Sequence, residues 1–257
     1  MNRYQIRLEY FGLNYKGSQK QTNGNTIQDE VEKALRTLIK TNISTIFSGR
    51  TDAKVSAKSQ SAHFDCEIEL VEDKFLNSIN GILPEDIRVF ELKKVDKTFH
   101  AQKSAKFRHY RYKIRNAKVN SPFDNVCYFV KYPLNEKRMD EALKYIVGEH
   151  DFSAFKSQSD NPAKICEIYF TQAKRTIDGL YIIIDIVGNR FLYNMVRTIV
   201  GTLLLIEKDD HKPLFMEEIL KSKDRQKSGA TAPAEGLMLE YVGYDDCSKY
   251  INKIKNT

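Results

Sequence analysis

The chain has 257 residues, 41% hydrophobic and 29% charged, with 41 Lys and Arg set against 34 Asp and Glu. That mixture excludes general disorder and allows a large core in one domain or two; no apolar run nears the roughly 18–20 residues that cross a bilayer, and no leader precedes the first strand pattern. A formal charge of +7 favours a polyanionic partner, and four scattered cysteines without a CxxC pair predict reduced thiols in a cytoplasmic protein.

Tyr4, Ile6, Leu8 and Tyr10 alternate with Gln5, Arg7 and Glu9, the pattern of a strand with one buried face. A polar, turn-rich segment, 12–25, follows. Thr26, with Asp29 as its capping-box partner, opens a helix whose apolar residues Ile27, Val31, Ala34, Leu35, Leu38 and Ile39 recur at a period of about 3.6. The stretch Ser48–Phe64, SGRTDAKVSAKSQSAHF, is small and polar and carries a single acid, Asp52, two residues after Arg50. Such a loop can hold a carboxylate beside a guanidinium, which keeps the acid ionised and aimed; an Asp that bonds its own turn is the other reading. A strand is expected over Phe64–Ile68, a helix around Lys74–Asn80, a turn over Gly81–Asp86 and a strand over Ile87–Val95.

From Phe99 to Lys118 the chain carries Lys103, Lys106, Arg108, Arg111, Lys113, Arg115 and Lys118 and no acid. In Tyr110-Arg111-Tyr112-Lys113-Ile114-Arg115 the alternation puts aromatics on one strand face and cations on the other. Two readings stand: a half-buried strand with solvated cations, or a strip that neutralises phosphates while a ring stacks on a base.

A helix is expected over Asn135–Val147, a compact turn over Asp151–Phe155, and strands over Ile165–Lys174 and Leu180–Val187. The latter is apolar enough for the middle of a covered sheet. A helix from Arg190 or Phe191 to about Ile206 carries Arg197 mid-helix beside its apolar face. That guanidinium either meets a carboxylate or snorkels to solvent. A short helix near Pro213–Ser222, the loop Gly229–Pro233 and a strand Leu237–Tyr244 follow. Two halves, each with strands and about two helices, predict an α+β protein with a cleft between them. The halves are taken as 1–103, carrying the Asp52 loop, and 104–245, with a polar, frayed tail over 246–257.

No HExxH, P-loop, GxGxxG or GxSxG motif occurs, and His63, His100, His109, His150 and His211 lack metal-ligand spacing. No metal site and no cofactor are expected. Asp52 beside Arg50, Tyr110 in the basic strand and Arg197 in an apolar helix remain as chemistry-bearing features.

Arg50-Thr51-Asp52-Ala53, with Gln60 and Ala62-His63-Phe64, resembles the signature loop of the tRNA pseudouridine synthase A family. Further matches run in family order: Thr26-Ile27-Gln28, Leu83-Pro84-Glu85-Asp86-Ile87, Phe99-His100-Ala101, Tyr110-Arg111-Tyr112, 148–155, Met195-Val196-Arg197, 200–203 and 231–237. The resemblance implies two ferredoxin-like halves forming a continuous, mainly antiparallel sheet flanked by helices, a homodimer, and a basic cleft for tRNA. It implies cofactor-free conversion of uridine to pseudouridine in the anticodon stem-loop, typically at positions 38 to 40. By the same resemblance Asp52 supplies the essential carboxylate, Arg197 pairs with it, Tyr110 stacks on the flipped uracil and Leu237 packs against the base. Arg50, Lys106, Arg108 and Arg111 would hold phosphates.

The chain departs from the family pattern at several places. Lys54 and Ser56 stand where most members have Gly and His, Ser18 where they have Trp, and Gln102 and Cys166 where they have Arg. Each change is expected to remove an RNA-facing or loop-packing group. The alternatives are a synthase acting on a different RNA uridine and a non-catalytic RNA-binding protein of the same fold.

Overall fold

The computed structural model describes residues 1–22, 24–159 and 162–255, so position 23 of the turn-rich segment and positions 256–257 of the tail lie outside it. The chain divides into two compact units, Met1–Lys106 with Met238–Asp245, and Phe107–Leu237 with Asp246–Thr257.

The first unit contains β1 (Asn2–Tyr10), α1 (Ile27–Ile39), β2 (Thr45–Phe47), β3 (Ser56–Cys66), α2 (Glu72–Ile82) and β4 (Ile87–Val95). Its antiparallel strands lie in the order β4-β1-β3-β2, the ferredoxin-like arrangement. The strand Leu237–Gly243 returns to this unit and runs parallel to β3, with Met238 opposite Ser56. Thr26 caps α1 as its sequence predicts: its hydroxyl accepts from the Asp29 N–H while the Asp29 carboxylate accepts from the Thr26 N–H.

On one face of β1, Tyr4, Ile6 and Leu8 are buried, and Tyr4, Phe64 and Phe75 of α2 stack in series at 5.9 and 6.2 Å. On the opposite face Gln5 and Arg7 are buried as well, where alternation alone predicts a solvated face. Arg7 donates to Ser59 Oγ at 2.9 Å and to the Val242 carbonyl at 3.0 Å, and its guanidinium lies 4.5 Å over the Tyr241 ring. Gln5 donates to Ser61 Oγ at 2.9 Å.

This polar layer explains why β3 begins at Ser56 and not at Phe64. Residues 59–64 are all buried, yet Ser59, Gln60, Ser61 and His63 fill the space by hydrogen bonding, so no apolar period marks the strand.

The second unit contains β5 (Phe107–Asn116), β6 (Tyr128–Val130), α3 (Glu136–Lys144), β7 (Gly148–Asp151), β8 (Ile165–Arg175), β9 (Tyr181–Gly188), α4 (Met195–Lys208) and α5 (Phe215–Ser222). Strand Leu237–Gly243 is β10, and α6 (Ser248–Lys255) ends the described chain. The order β5-β9-β8-β7 is antiparallel throughout, with the short β6 parallel to β5. Ile182, Ile184 and Ile186 of β9 are fully buried, as the apolar run predicts.

Helix α4 and the tail also differ from the sequence-based expectation. Asn194, at φ 59°, is left-handed, so α4 starts at Met195 and Arg197 sits in its first turn instead of mid-helix. Residues 248–255 of the tail fold as α6, which buries Ile254 and sets Tyr250 against Phe107, with ring centroids 5.2 Å apart.

His63 makes the polar layer of the first unit sensitive to acid. The Ala101 N–H can only donate, so the His63 Nδ1 it meets at 3.1 Å must keep its lone pair. Burial first, then Arg3 and His100, lower the His63 pKa to about 4. An unfolded histidine titrates near about 6.5, so between these values the unfolded chain binds a proton that the fold excludes. Stability should therefore fall as pH drops through that window, by on the order of 3 kcal/mol. Urea unfolding of His63→Gln, which can still accept from Ala101, should show a flatter dependence than the native chain between those pH values. An unchanged slope would contradict this account of His63.

Candidate active site

Residues 48–55 join β2 to β3 and carry Asp52, which is partly exposed. The start of this loop is tied to β3. The Ser48 N–H donates to the Ser61 carbonyl at 2.8 Å, Ser48 Oγ to Gln60 Oε1 at 2.6 Å, and Gln60 Nε2 to the Gly49 carbonyl at 3.0 Å.

Thr51 is gripped from the segment before α1: its N–H donates to Ser18 Oγ at 2.8 Å, and its carbonyl accepts from the Ser18 N–H at 3.0 Å. The Thr51 hydroxyl shares a 2.8 Å hydrogen bond with the buried Tyr10 hydroxyl. Burial raises the Tyr10 pKa to about 12, so the phenol stays protonated. Gly17, at φ 106°, allows this approach, because a β-carbon there would stand 2.9 Å from the Thr51 carbonyl oxygen.

After the acid, the Val55 N–H donates to the Asp52 carbonyl at 3.2 Å and closes a turn whose third residue, Lys54, is left-handed at φ 67°. The backbone on both sides of Asp52 is thus fixed by buried partners.

The structure gives physical meaning to four departures from the family pattern. A left-handed third turn position suits glycine, and a lysine there costs about 1 kcal/mol. Ser56, where the family carries His, is buried and accepts from the Gly12 N–H at 3.0 Å. Ser18, in place of Trp, is fully buried and supplies the acceptor for Thr51. Cys166 is buried, and burial raises its thiol pKa to about 11, so it serves packing and not an exposed contact.

The second unit holds Tyr110, Arg197 and Leu237. Tyr110 is partly exposed on β5 and meets Phe191 edge-on, with ring centroids 5.0 Å apart. Arg197 Nε donates to the Ala232 carbonyl at 2.7 Å and one of its terminal nitrogens to Asn194 Oδ1 at 2.9 Å, while the Ala232 N–H donates to the Arg197 carbonyl at 3.1 Å. The loop 229–237 is therefore docked on the first turn of α4.

Glycines permit that docking. A β-carbon on Gly201 would fall 1.7 Å from the Ala230 carbonyl oxygen, and one on Gly236 would fall 2.5 Å from the Tyr112 ring. The buried Tyr112 donates to the Pro233 carbonyl at 2.8 Å, which fixes the approach to Leu237. Leu237 itself is 6% exposed.

The cations of β5 are more fully engaged than their run in sequence predicts. Arg111 Nε lies 2.7 Å from Asp185, Arg115 lies 2.8 Å from Asp124, and the Lys113 ammonium sits 3.8 Å from the Tyr181 ring centroid. Arg108 donates to the Asn189 carbonyl at 2.7 Å. Arg50 and Lys106, both in the first unit, are exposed. Among the described residues no three His, Cys, Asp or Glu side chains gather as a metal would require, and no helix is long and apolar enough to cross a membrane.

Sequence reasoning passed over Tyr10 and the hydroxyl of Ser18, which hold the loop; a buried phenol at the end of a strand leaves no local signal. Ser18→Ala strips the acceptor from the buried Thr51 N–H and should cost about 1–3 kcal/mol in urea unfolding. Lys54→Gly relieves the left-handed residue and should leave the midpoint unchanged or raise it by up to about 1 kcal/mol. The reverse order of the two effects would contradict the loop geometry.

A family model described as tRNA pseudouridine synthase matches residues 142–245. A tRNA pseudouridine synthase A of Thermoanaerobacter sp. (strain X514) is 41% identical over 95% of this chain and 100% of its own length. Those of Exiguobacterium sp. (strain ATCC BAA-1283 / AT1b) and Francisella philomiragia are 38% and 35% identical, over 95% and 96% of this chain and 99% and 96% of theirs. With the ferredoxin-like first unit and the motif-bearing loops described above, identity of that extent places the chain in the tRNA pseudouridine synthase A family.

Proposed function

We propose that this chain is an isomerase that converts uridine to pseudouridine in the anticodon stem-loop of tRNA. The observation that carries the reading is the Asp52 loop, a carboxylate on a backbone held by hydrogen bonds of Ser48, Gly49 and Thr51 before it and by the Val55 N–H bond to its own carbonyl after it. Isomerisation breaks the bond from ribose C1′ to N1 of uracil, rotates the base and forms the bond from C1′ to C5. The proton lost from C5 is balanced by one gained at N1, so no outside atom or redox agent enters.

Asp52 serves as nucleophile at C1′ or as base on the ribose; both routes need the ionised acid held in one direction. Arg197 is proposed as its counter-charge. Two hydrogen bonds already hold that guanidinium to Ala232 and Asn194, which supports a fixed, directional role. A base within an A-form stem is out of reach and must be flipped. Tyr110, partly exposed and braced by Phe191, is suited to stack on it, and Leu237 to pack against its edge. Arg50, Lys106 and Arg108 are proposed to meet phosphates, whereas the Arg111 guanidinium is engaged by Asp185. By family resemblance the enzyme is a cytoplasmic homodimer, which sedimentation of the purified chain tests.

A second reading, a synthase acting on a different uridine, is favoured by one observation: Lys54 places an exposed ammonium on the Asp52 turn where the family has glycine. Position-resolved mapping of pseudouridine in tRNA treated with the native chain separates the two. Asp52→Asn should abolish product, and a native chain that forms none in any tRNA would remove the enzymatic reading. Arg197→Ala should reduce turnover at least about a hundredfold while changing tRNA affinity by less than about threefold. Equal losses in both would contradict its pairing with Asp52.

A further inference from the structure

Among the described residues, the mechanism leaves the fully buried carboxylate of Asp185 unused. Asp185 stands alone in the apolar strand β9 and gathers a chain of side chains in the second unit. Its Oδ1 lies 2.8 Å from His109 Nε2 and 2.7 Å from Arg111 Nε, and its Oδ2 accepts from the second Arg111 nitrogen at 3.2 Å. Burial pushes the Asp185 carboxyl up, but the bonds from His109 and Arg111 outweigh it and hold the group below the usual range. His109 Nδ1 in turn meets the Tyr250 hydroxyl at 2.9 Å. A carboxylate can only accept, so His109 Nε2 donates to Asp185, while Nδ1 and the Tyr250 hydroxyl share the second bond.

His109 and Arg111 flank Tyr110 in sequence. Their side chains leave the face of β5 opposite to that of Tyr110, because strand residues alternate. In the register of β5 on β9, Arg111 stands opposite Asp185 and Tyr110 opposite Ile186. One buried carboxylate therefore holds the side chains of the residues on both sides of Tyr110 from behind. Tyr250 belongs to α6, which begins after the end of the family match at residue 245. The helix lies over the same face of the sheet, with Tyr250 against Phe107 and the Lys255 ammonium 5.6 Å from the Phe170 ring centroid.

We infer that α6 is a positioning element for Tyr110: Tyr250 completes the chain Tyr250–His109–Asp185–Arg111, which sets the pitch of β5 and thereby the direction of the Tyr110 ring. The inference rests on the stacking role proposed above for Tyr110. Tyr250 acts through His109 and Asp185 and touches no reacting atom. Its contribution belongs to turnover, because a ring held slightly off its direction still lies among the same phosphate contacts.

The test is made on the full chain carrying 3-fluorotyrosine at position 110, followed by 19F NMR, beside single-turnover kinetics on tRNA. Tyr250→Phe removes only the hydroxyl. It should shift or broaden the position-110 resonance and lower the single-turnover rate about three- to tenfold, with the tRNA dissociation constant unchanged within about twofold. His109→Gln, whose amide can both donate to Asp185 and accept from Tyr250, should keep more of the rate than His109→Phe. A resonance and rate identical to the native chain in Tyr250→Phe, with only the melting temperature lowered, would make α6 purely structural and overturn the inference. If the native chain forms no pseudouridine while the resonance still moves, the coupling of α6 to Tyr110 stands and the enzymatic reading is what falls.

Discussion

Two hydrogen bonds between Ser18 and Thr51 do most to decide where Asp52, the carboxylate proposed to react, sits. They pair two short segments edge to edge, one before α1 and one before β3, with the residue after Thr51 being Asp52. A loop of small polar residues has no apolar surface with which to anchor itself, so its position must come from directional bonds. Tyr10 below Thr51, Gln60 below Ser48 and Gly49, and the glycine at position 17 all serve that end. The choice has a cost: each bond is buried, and losing one partner strands the other. The polar face of the first unit, with Arg7, Gln5, Ser59, Ser61 and His63, is built on the same terms.

The second unit solves the positioning problem by close backbone approach. Gly201 and Gly236 let the loop 229–237 lie directly on α4 and on Tyr112, nearer than any side chain would permit. Arg197 then binds that loop at both backbone and side chain. Behind Tyr110, a buried carboxylate holds the strand from its far face. Asp52, Tyr110 and Arg197 are partly exposed, while Ser18, Thr51, Tyr10, His109 and Asp185, which hold their surroundings, are buried. Substitutions in the buried set should therefore be felt in stability and rate together.

The fold class, the capped helix α1 and the apolar strand β9 were legible because each carries a periodic or capping pattern. The beginning of β3 was not, since serine, glutamine and histidine are buried there by hydrogen bonding and leave no alternation. The start of α4 was hidden because Asn194 takes a left-handed conformation without a glycine or proline to announce it. The final helix was read as a frayed tail, as its sequence is mostly polar; its fold depends on Tyr250 and Ile254 finding partners far away in sequence. Of the candidate site, Asp52, Tyr110, Arg197 and Leu237 could be nominated from motifs, but the groups that hold them in place could not. The lone acid of β9 was a usable signal: an aspartate inside an apolar run has to be buried with partners. The pairing of the β5 cations was not legible from their run, because Asp124, just beyond the strand, meets Arg115 and Asp185, far away in sequence, meets Arg111.

The account stands or falls on whether the fixed carboxylate drives exchange of a C–N for a C–C bond in tRNA. The most direct measurement is release of tritium to water from tRNA labelled at C5 of its uridines, since that atom loses its hydrogen only when it bonds to the ribose. The native chain should release one tritium for each pseudouridine formed, in buffer without added cofactor, and Asp52→Asn should release none while still binding the tRNA. Binding without release by the native chain, or release that survives Asp52→Asn, would contradict it.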